Sequence, residues 1–223
     1  MGASQRVVIF GIGDFARVAR FYFQHDSPFD VAAFAVHEQY IISNELLGVP
    51  VVAWESLRET HPPDDFRIFV AIGYSRVNQN RAAMFRETKA AGYGTVTYVC
   101  SKATTWPGLD VGEGTFIFEN NVIQPFTKIG SNCVLWSGNH IGHDSTIGDN
   151  VFITSHVVVS GNCRIGDNVF IGVNATLRDG ITIGNDCVVG AGTVMLKDAP
   201  PASVFKAVST PAAEISSDKL RRI

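Results

Sequence analysis

From Val111 onward an aliphatic side chain returns at every sixth residue without a miss: Val111, Ile117, Ile123, Ile129, Leu135, Ile141, Ile147, Ile153, Val159, Ile165, Ile171, Leu177, Ile183, Val189 and Met195. Four residues after each comes a second column made mostly of small or β-branched side chains, among them Thr115, Cys133, Ser145, Val157, Cys163, Ala175 and Cys187. An amphipathic helix needs a period of about 3.6 and a half-buried strand a period of about two, so neither accounts for six. A slower repeat of eighteen lies on top: VGEGTF at 111 returns as IGSNCV at 129, IGDNVF at 147 and 165, and IGNDCV at 183. Three hexads therefore close one coil. The pattern predicts a parallel β-helix of triangular section, in which each short strand turns its column residue into a narrow core. Gly, Asn or Asp at the corners takes up backbone angles that other residues resist. Coils joined by backbone ladders stack about 4.8 Å apart, so five coils make a prism about 24 Å tall.

The first hundred residues have a different texture. An apolar strand at 7–10 runs into the turn Gly11-Ile12-Gly13 and a helical stretch at 16–23. Further strands are predicted at 31–36, 49–52, 68–72 and 95–99, with a helix at 77–90. Strands alternating with helices argue for a small parallel α/β domain, Rossmann-like in its strand, glycine turn and helix. A GxGxxA turn that opens a helix can point backbone N–H groups at a phosphate, so a bound nucleotide is one reading of it. A turn that serves only close packing is the other. The expected division is an α/β domain over 1–100, a β-helix over 101–199 and a cap and tail over 200–223. The segment Lys197-Asp198-Ala199-Pro200-Pro201 should leave the hexad register and close the prism.

Composition narrows the function. The 223 residues carry 21 acidic and 18 basic side chains, a formal net charge of −3. A nucleic-acid binder working through a basic field is disfavoured on that balance, as is a disordered acidic chain. No apolar run reaches the roughly 20 residues of a membrane span, and the first residues lack the basic head and cleavage site of a signal peptide. The expectation is a cytoplasmic protein. Gly2 formally invites myristoylation, but Arg6 and a strand follow at once and a plain start fits better. Cys100, Cys133, Cys163 and Cys187 form no CxxC pair; three of them fall in the second column as small core side chains, and disulfides are not expected.

The front phrases Gly11-Ile12-Gly13-Asp14-Phe15-Ala16 and Ala71-Ile72-Gly73, joined to aliphatic-Gly hexads, resemble the bacterial nucleotide-sugar acetyltransferases. These belong to the hexapeptide-repeat, left-handed β-helix superfamily, of the sialic-acid and bacillosamine type. The resemblance spans essentially the whole chain. It implies a left-handed coil, acetyl-CoA as co-substrate without a metal, and a homotrimer with acetyl-CoA in the groove between neighbours. It also implies a UDP-, dTDP- or GDP-linked amino sugar held by Gly11, Gly13, Asp14 and Phe15, by His37 and Glu38, and by Gly73. Trp136 follows core residue Leu135 and should point outward, as a side chain that meets a partner subunit.

Three of the six histidines, His140, His143 and His156, lie inside the repeat. Acyl transfer from a thioester to an amine or hydroxyl needs a base of near-neutral pKa, for which imidazole is suited, and N–H donors for the tetrahedral oxyanion. One coil after His143 stands Gly161, which should stack on it and leave room for a thioester beside the backbone. By the resemblance, His143-Asp144 is the general base and the carboxylate that orients it, and the Gly161 N–H meets the acetyl carbonyl. The Ala191 N–H is a second donor candidate. Many relatives place another histidine where Phe152 stands; this chain offers His156 instead, stacked over Gly138 and near His140 as an accessory. The leading expectation is an N-acetyltransferase acting at a 4-amino group by direct transfer, in bacterial surface glycan synthesis. An O-acetyltransferase on the same scaffold is the alternative, and a non-catalytic nucleotide-binding scaffold is another. A zinc enzyme of the gamma-carbonic-anhydrase type is disfavoured by the spacing of the histidines.

Overall fold

The computed structural model describes residues 5–219; Gly2 and the last four residues of the expected tail lie outside them. The front domain comprises β1 (Gln5–Phe10), α1 (Asp14–Asp26), β2 (Phe29–Val36), β3 (Glu45–Leu46), β4 (Val49–Ala53), α2 (Leu57–Thr60), β5 (Phe66–Val70), α3 (Gln79–Ala90) and β6 (Gly94–Thr95). The sheet runs β3-β4-β2-β1-β5-β6 and is parallel apart from the β3–β4 pair. Val7, Val8, Ile9 and Phe10 are all buried because both sheet faces are covered, which is why β1 reads as a continuous apolar run. Ala16, Ala19 and Phe23 of α1 pack on one face, and Leu57 of α2 with Met84 of α3 on the other. The chain leaves β1 for β2 on one side and later enters β5 on the other. The order therefore reverses at the carboxyl ends of β1 and β5, where open α/β sheets bind ligands.

Several sequence expectations shift here: the strand expected at 68–72 is β5 at Phe66–Val70, and α1 extends beyond the expected 16–23 at both ends. The helix predicted from 77 starts at Gln79, because Arg76, Val77 and Asn78 have φ of 51°, 51° and 66°, angles no right-handed helix admits. The strand predicted at 95–99 is two strands in two sheets: β6 ends the front sheet, and Tyr98–Val99 pairs with Phe116–Ile117 as the first rung of the prism.

The prism itself is a left-handed β-helix of two-residue strands in three parallel sheets, each strand pairing with the one eighteen residues on. The column residues fill its core. From Gly108 to Gly192 every sixth residue is left-handed, with φ between 55° and 86°. Glycine, asparagine and aspartate hold all of these corners except two, Phe126 and His156. The residue before each column position faces outward and gives the three faces different characters. The first carries Phe116, Val134, Phe152, Phe170 and Val188, the second Val122, His140, Val158, Thr176 and Val194, and the third Asp110, Lys128, Thr146, Arg164 and Thr182. They are called here the aromatic, apolar and polar faces. At the far end the hexad spacing is lost as expected, but the ladder continues. Ala199 bridges Ile183, and Val204–Phe205 adds a rung beside Val188–Val189.

The front domain sits on the aromatic face, and Phe116, Phe118, Val134 and Phe152 share one core with Ala16, Phe23 and Phe69. Trp136 is a correction. It does not stand free for a partner subunit but stacks on Phe118, ring centroids 4.5 Å apart and 9° from parallel, with Phe15 at 6.1 Å. Its position is outward, and the chain's own front domain covers it. A polar lock holds the same seam. Arg81 is fully buried and donates to the carbonyls of Asn132 (3.2 Å), Asn150 (2.7 Å) and Gly73 (3.2 Å). Beside it Asn78 Nδ2 donates to the carbonyls of Asn168 (3.0 Å) and Val169 (3.1 Å). Burial lowers the Arg81 guanidinium to about 10, so it stays cationic at neutral pH. Among the described residues no helix is long and apolar enough to cross a membrane.

Candidate active site

The corner between the apolar and polar faces is built at Gly142-His143-Asp144-Ser145, with Asp144 as its left-handed residue (φ 58°). That angle folds the carboxylate back on its neighbour. His143 Nδ1 lies 2.8 Å from Asp144 Oδ2, both side chains being about half exposed. When Nδ1–H donates to the carboxylate, Nε2 carries the lone pair and is the basic nitrogen. The His143 backbone N–H donates to Gln124 Oε1 at 2.9 Å, one coil below, and this fixes the loop from beneath. Above it the imidazole fills the space left by Gly161. A Cβ on that glycine would stand 2.8 Å from His143 Nε2 and 3.0 Å from Asp179 Oδ1. The Gly161 N–H donates to none of the described residues.

His156 and Ala191 lie at a different corner, between the aromatic and apolar faces. His156 is exposed in the left-handed conformation, and its Nδ1 lies 2.6 Å from where a Gly138 Cβ would be. Ala191 stands further along the same corner, its N–H likewise unused among the described residues. His140 sits half-buried on the apolar face, its backbone N–H donating to the Val157 carbonyl at 2.9 Å. One chain thus brings His143, Asp144 and Gly161 together and keeps His156 and Ala191 apart from them, with the apolar face between. Among the described residues no group of three His, Cys, Asp or Glu side chains is placed to hold a metal ion. Cys133 and Cys163 are core residues. Burial pushes the Cys133 thiol up to about 12 and raises that of Cys163 as well, so neither supplies a thiolate nucleophile at neutral pH.

Sequence reading passed over Gln124, Phe126, Trp106 and Asp179 at this corner. Phe126 is 81% exposed with φ 65°, an outlying angle for a bulky side chain. With Trp106, Leu109 and Gln124 it lines a cavity of about 300 Å³. The signal was present in the chain, since Phe126 interrupts a column otherwise kept for glycine, asparagine and aspartate.

The front-domain residues gather at the carboxyl ends of β1, β2 and β5. Gly11 has φ 126°, and a Cβ on it would lie 2.8 Å from the Ala71 carbonyl oxygen, so the close-packing reading holds for this glycine. Gly13 is different. It caps α1 with open space around its Cβ position, and no side chain caps the first N–H groups of the helix. Asp14 is solvent-exposed beside Arg17 (3.5 Å). Phe15 is turned into the seam, against Phe69, Phe116, Phe118 and Trp136. His37 Nδ1 lies 2.9 Å from Glu55 Oε1, while the Glu38 N–H donates to Glu55 Oε2 at 3.0 Å. Glu55 is therefore the unforeseen residue that holds the end of β2. Gly73 has no neighbour within 4 Å of a Cβ position, and its carbonyl accepts from Arg81.

Comparison with known proteins agrees with the fold. Residues 126–161 match the bacterial transferase hexapeptide (six repeats) and residues 163–197 the hexapeptide repeat of succinyl-transferase. No curated protein sequence gives a significant match. Among solved structures, PerB from Caulobacter crescentus in complex with CoA and GDP-perosamine is 30% identical. Its TM-score is 0.79, over 89% of this chain and 92% of that one. A variant of the GDP-perosamine N-acetyl transferase from Caulobacter crescentus, also with CoA and GDP-perosamine, is 29% identical with a TM-score of 0.79, over 89% and 91%. The acetyltransferase domain of PglB from Neisseria gonorrhoeae in complex with acetyl coenzyme A shares the fold at 23% identity and a TM-score of 0.81, over 91% and 96%.

Proposed function

The chain belongs to the hexapeptide-repeat acetyltransferase family, and from that premise we propose that it transfers acetyl from acetyl-CoA to an amino group of a nucleotide-linked deoxysugar. The 4-amino group is the acceptor, and the product serves surface glycan synthesis. One observation carries the reading: an imidazole tied by Nδ1 to Asp144, with Nε2 free above a bare glycine at an exposed corner. His143 Nε2 takes a proton from the attacking nitrogen, while Asp144 fixes the tautomer and stabilises the imidazolium. The unspent Gly161 N–H is aimed at the oxyanion of the tetrahedral intermediate. The raised thiols of Cys133 and Cys163 favour direct transfer over an acyl-enzyme. CoA in the Caulobacter structures supports the donor, and GDP-perosamine supports an acceptor of the amino-sugar class. The nucleotide end is assigned to the α1 terminus at Gly13 and Asp14, to His37 and Glu38 braced by Glu55, and to Gly73, while Gly11 shapes that turn by close packing against Ala71. Phe15 serves that end only by fixing α1 against the prism.

The separation of the two corners is resolved by a homotrimer. The aromatic face is covered by the chain's own front domain and the polar face is charged, whereas Val122, Val158 and Val194 on the apolar face remain 38%, 38% and 61% exposed. An apolar face of that kind seats a second copy, which brings the His156 and Ala191 corner of one chain to the His143 corner of the next.

The test is CoA release from acetyl-CoA with a panel of UDP-, dTDP- and GDP-linked 4-amino sugars. The wild-type protein should acetylate at least one, and His143→Ala should lower that turnover at least ~100-fold. Its melting should barely change, because His143 lies outside both core columns. Wild-type turnover by the variant would remove His143 from the chemistry.

A further inference from the structure

Asp179 has been given no role in the chemistry so far, yet it stands one coil beyond Gly161 in the same column as His143. Corner carboxylates at this hexad position are normally spent on the fold. Asp149 Oδ1 accepts from the Ser131 N–H at 2.7 Å, and Asp167 Oδ1 accepts from the Asp149 N–H at 2.8 Å, each from the coil before. The equivalent partner of Asp179 is the Gly161 N–H, and that bond is not made. Asp179 has neither hydrogen bond nor ion pair among the described residues, so donor and acceptor are both left free at one place. His143 Nε2 and Asp179 Oδ1 flank Gly161, 2.8 Å and 3.0 Å from where its Cβ would stand, without pairing with each other. Outward of that Cβ position, a polar hydrogen-bearing atom seated between the basic nitrogen and the carboxylate can donate to both.

We propose that Asp179 selects an amine acceptor by binding its ammonium group across Gly161 from His143. The inference rests on the acetyl-transfer reading and sharpens it, since a hydroxyl brings no charge for the carboxylate to meet. An amine reaches the site with three protons and the amide keeps one. Asp179 holds the ammonium while the first proton leaves to solvent. His143 Nε2 takes the second as the nitrogen–carbon bond forms, and hands it to the CoA thiolate as the carbon–sulfur bond breaks. Neither residue is consumed.

Asp179 is exposed at a corner, so Asp179→Asn keeps shape and removes only charge. With the 4-amino nucleotide sugar that the wild-type protein turns over best, the variant should show KM raised about 10- to 100-fold, the range of a charge-assisted hydrogen bond. Its kcat should change less. Affinity for the 4-hydroxy counterpart of the same nucleotide sugar should stay the same in both proteins, so the preference for the amine collapses. His143→Asn should do the reverse, losing turnover while still binding the amine in preference to the hydroxyl. An Asp179→Asn protein that keeps the wild-type preference overturns the proposal, as does one that weakens for both ligands alike. Should the wild-type protein acetylate no member of the panel, the acceptor reading fails first and this inference with it.

Discussion

Gly161 is where the proposed chemistry is most sensitive to a single atom. Its φ is outside the left-handed range, so alanine suits the backbone, and the only cost is a Cβ that meets His143 Nε2 at 2.8 Å and Asp179 Oδ1 at 3.0 Å. Gly161→Ala should therefore fold normally and displace the imidazole. A shift of about 1 Å in a reacting group costs about 100-fold in rate, to be read in the CoA-release assay beside an unchanged melting curve. A fully active Gly161→Ala protein would mean that the ring does its work elsewhere. Counting by eighteen placed His143 against Gly161 in advance. The same arithmetic places Asp179 in that column, but not its freedom. Asp149 has the same side chain at the same hexad position and is tied to Ser131. What distinguishes them is the hydrogen-bond partner, which residue type does not report.

Among the elements, α3 shows how a legible helix can have an illegible role. An arginine on a 12-residue helix of mostly polar composition reads as a solvated side chain, yet Arg81 is buried and joins the helix to the corners at Asn132 and Asn150. Those carbonyls belong to the eighteen-residue repeat, whose left-handed corners already use asparagine for backbone reasons. Arg81→Met should leave several buried acceptors unpaired and cost at least ~3 kcal/mol. For a chain of this size that lowers the thermal midpoint by roughly 6–12 °C, measurable by circular dichroism. A midpoint within a degree of wild type would show that the lock contributes nothing. Trp136 follows the same logic at the other end of the seam. Its outward direction was readable from the hexads, but the Phe118 and Phe15 rings that cover it were not.

At the scale of the whole molecule the three faces differ: one is covered by the front domain, one is charged, and one is apolar and exposed, the face of the proposed trimer. Val158→Glu places a carboxylate in the middle of the apolar face and should break the proposed trimer into monomers in size-exclusion chromatography with light scattering. CoA release should fall with the loss of trimer, while the circular dichroism of the prism is kept. An intact, active trimer in that variant would move the interface elsewhere. The six-residue period settled the prism by itself, because every coil poses the same local problem of one residue inward and one corner at positive φ, and each hexad answers it with its own side chains. The GxGxxA turn likewise announced α1 by local rules, although the helix starts at Asp14, two residues before the stretch read from the sequence. Which face is covered, which corner keeps an unspent N–H and an unspent carboxylate, and what Arg81 and Trp136 touch were decided only in three dimensions. Such contacts join residues far apart in the chain, as Tyr22 Oη to Glu119 Oε2 at 2.6 Å across the seam, and no spacing along the sequence encodes them.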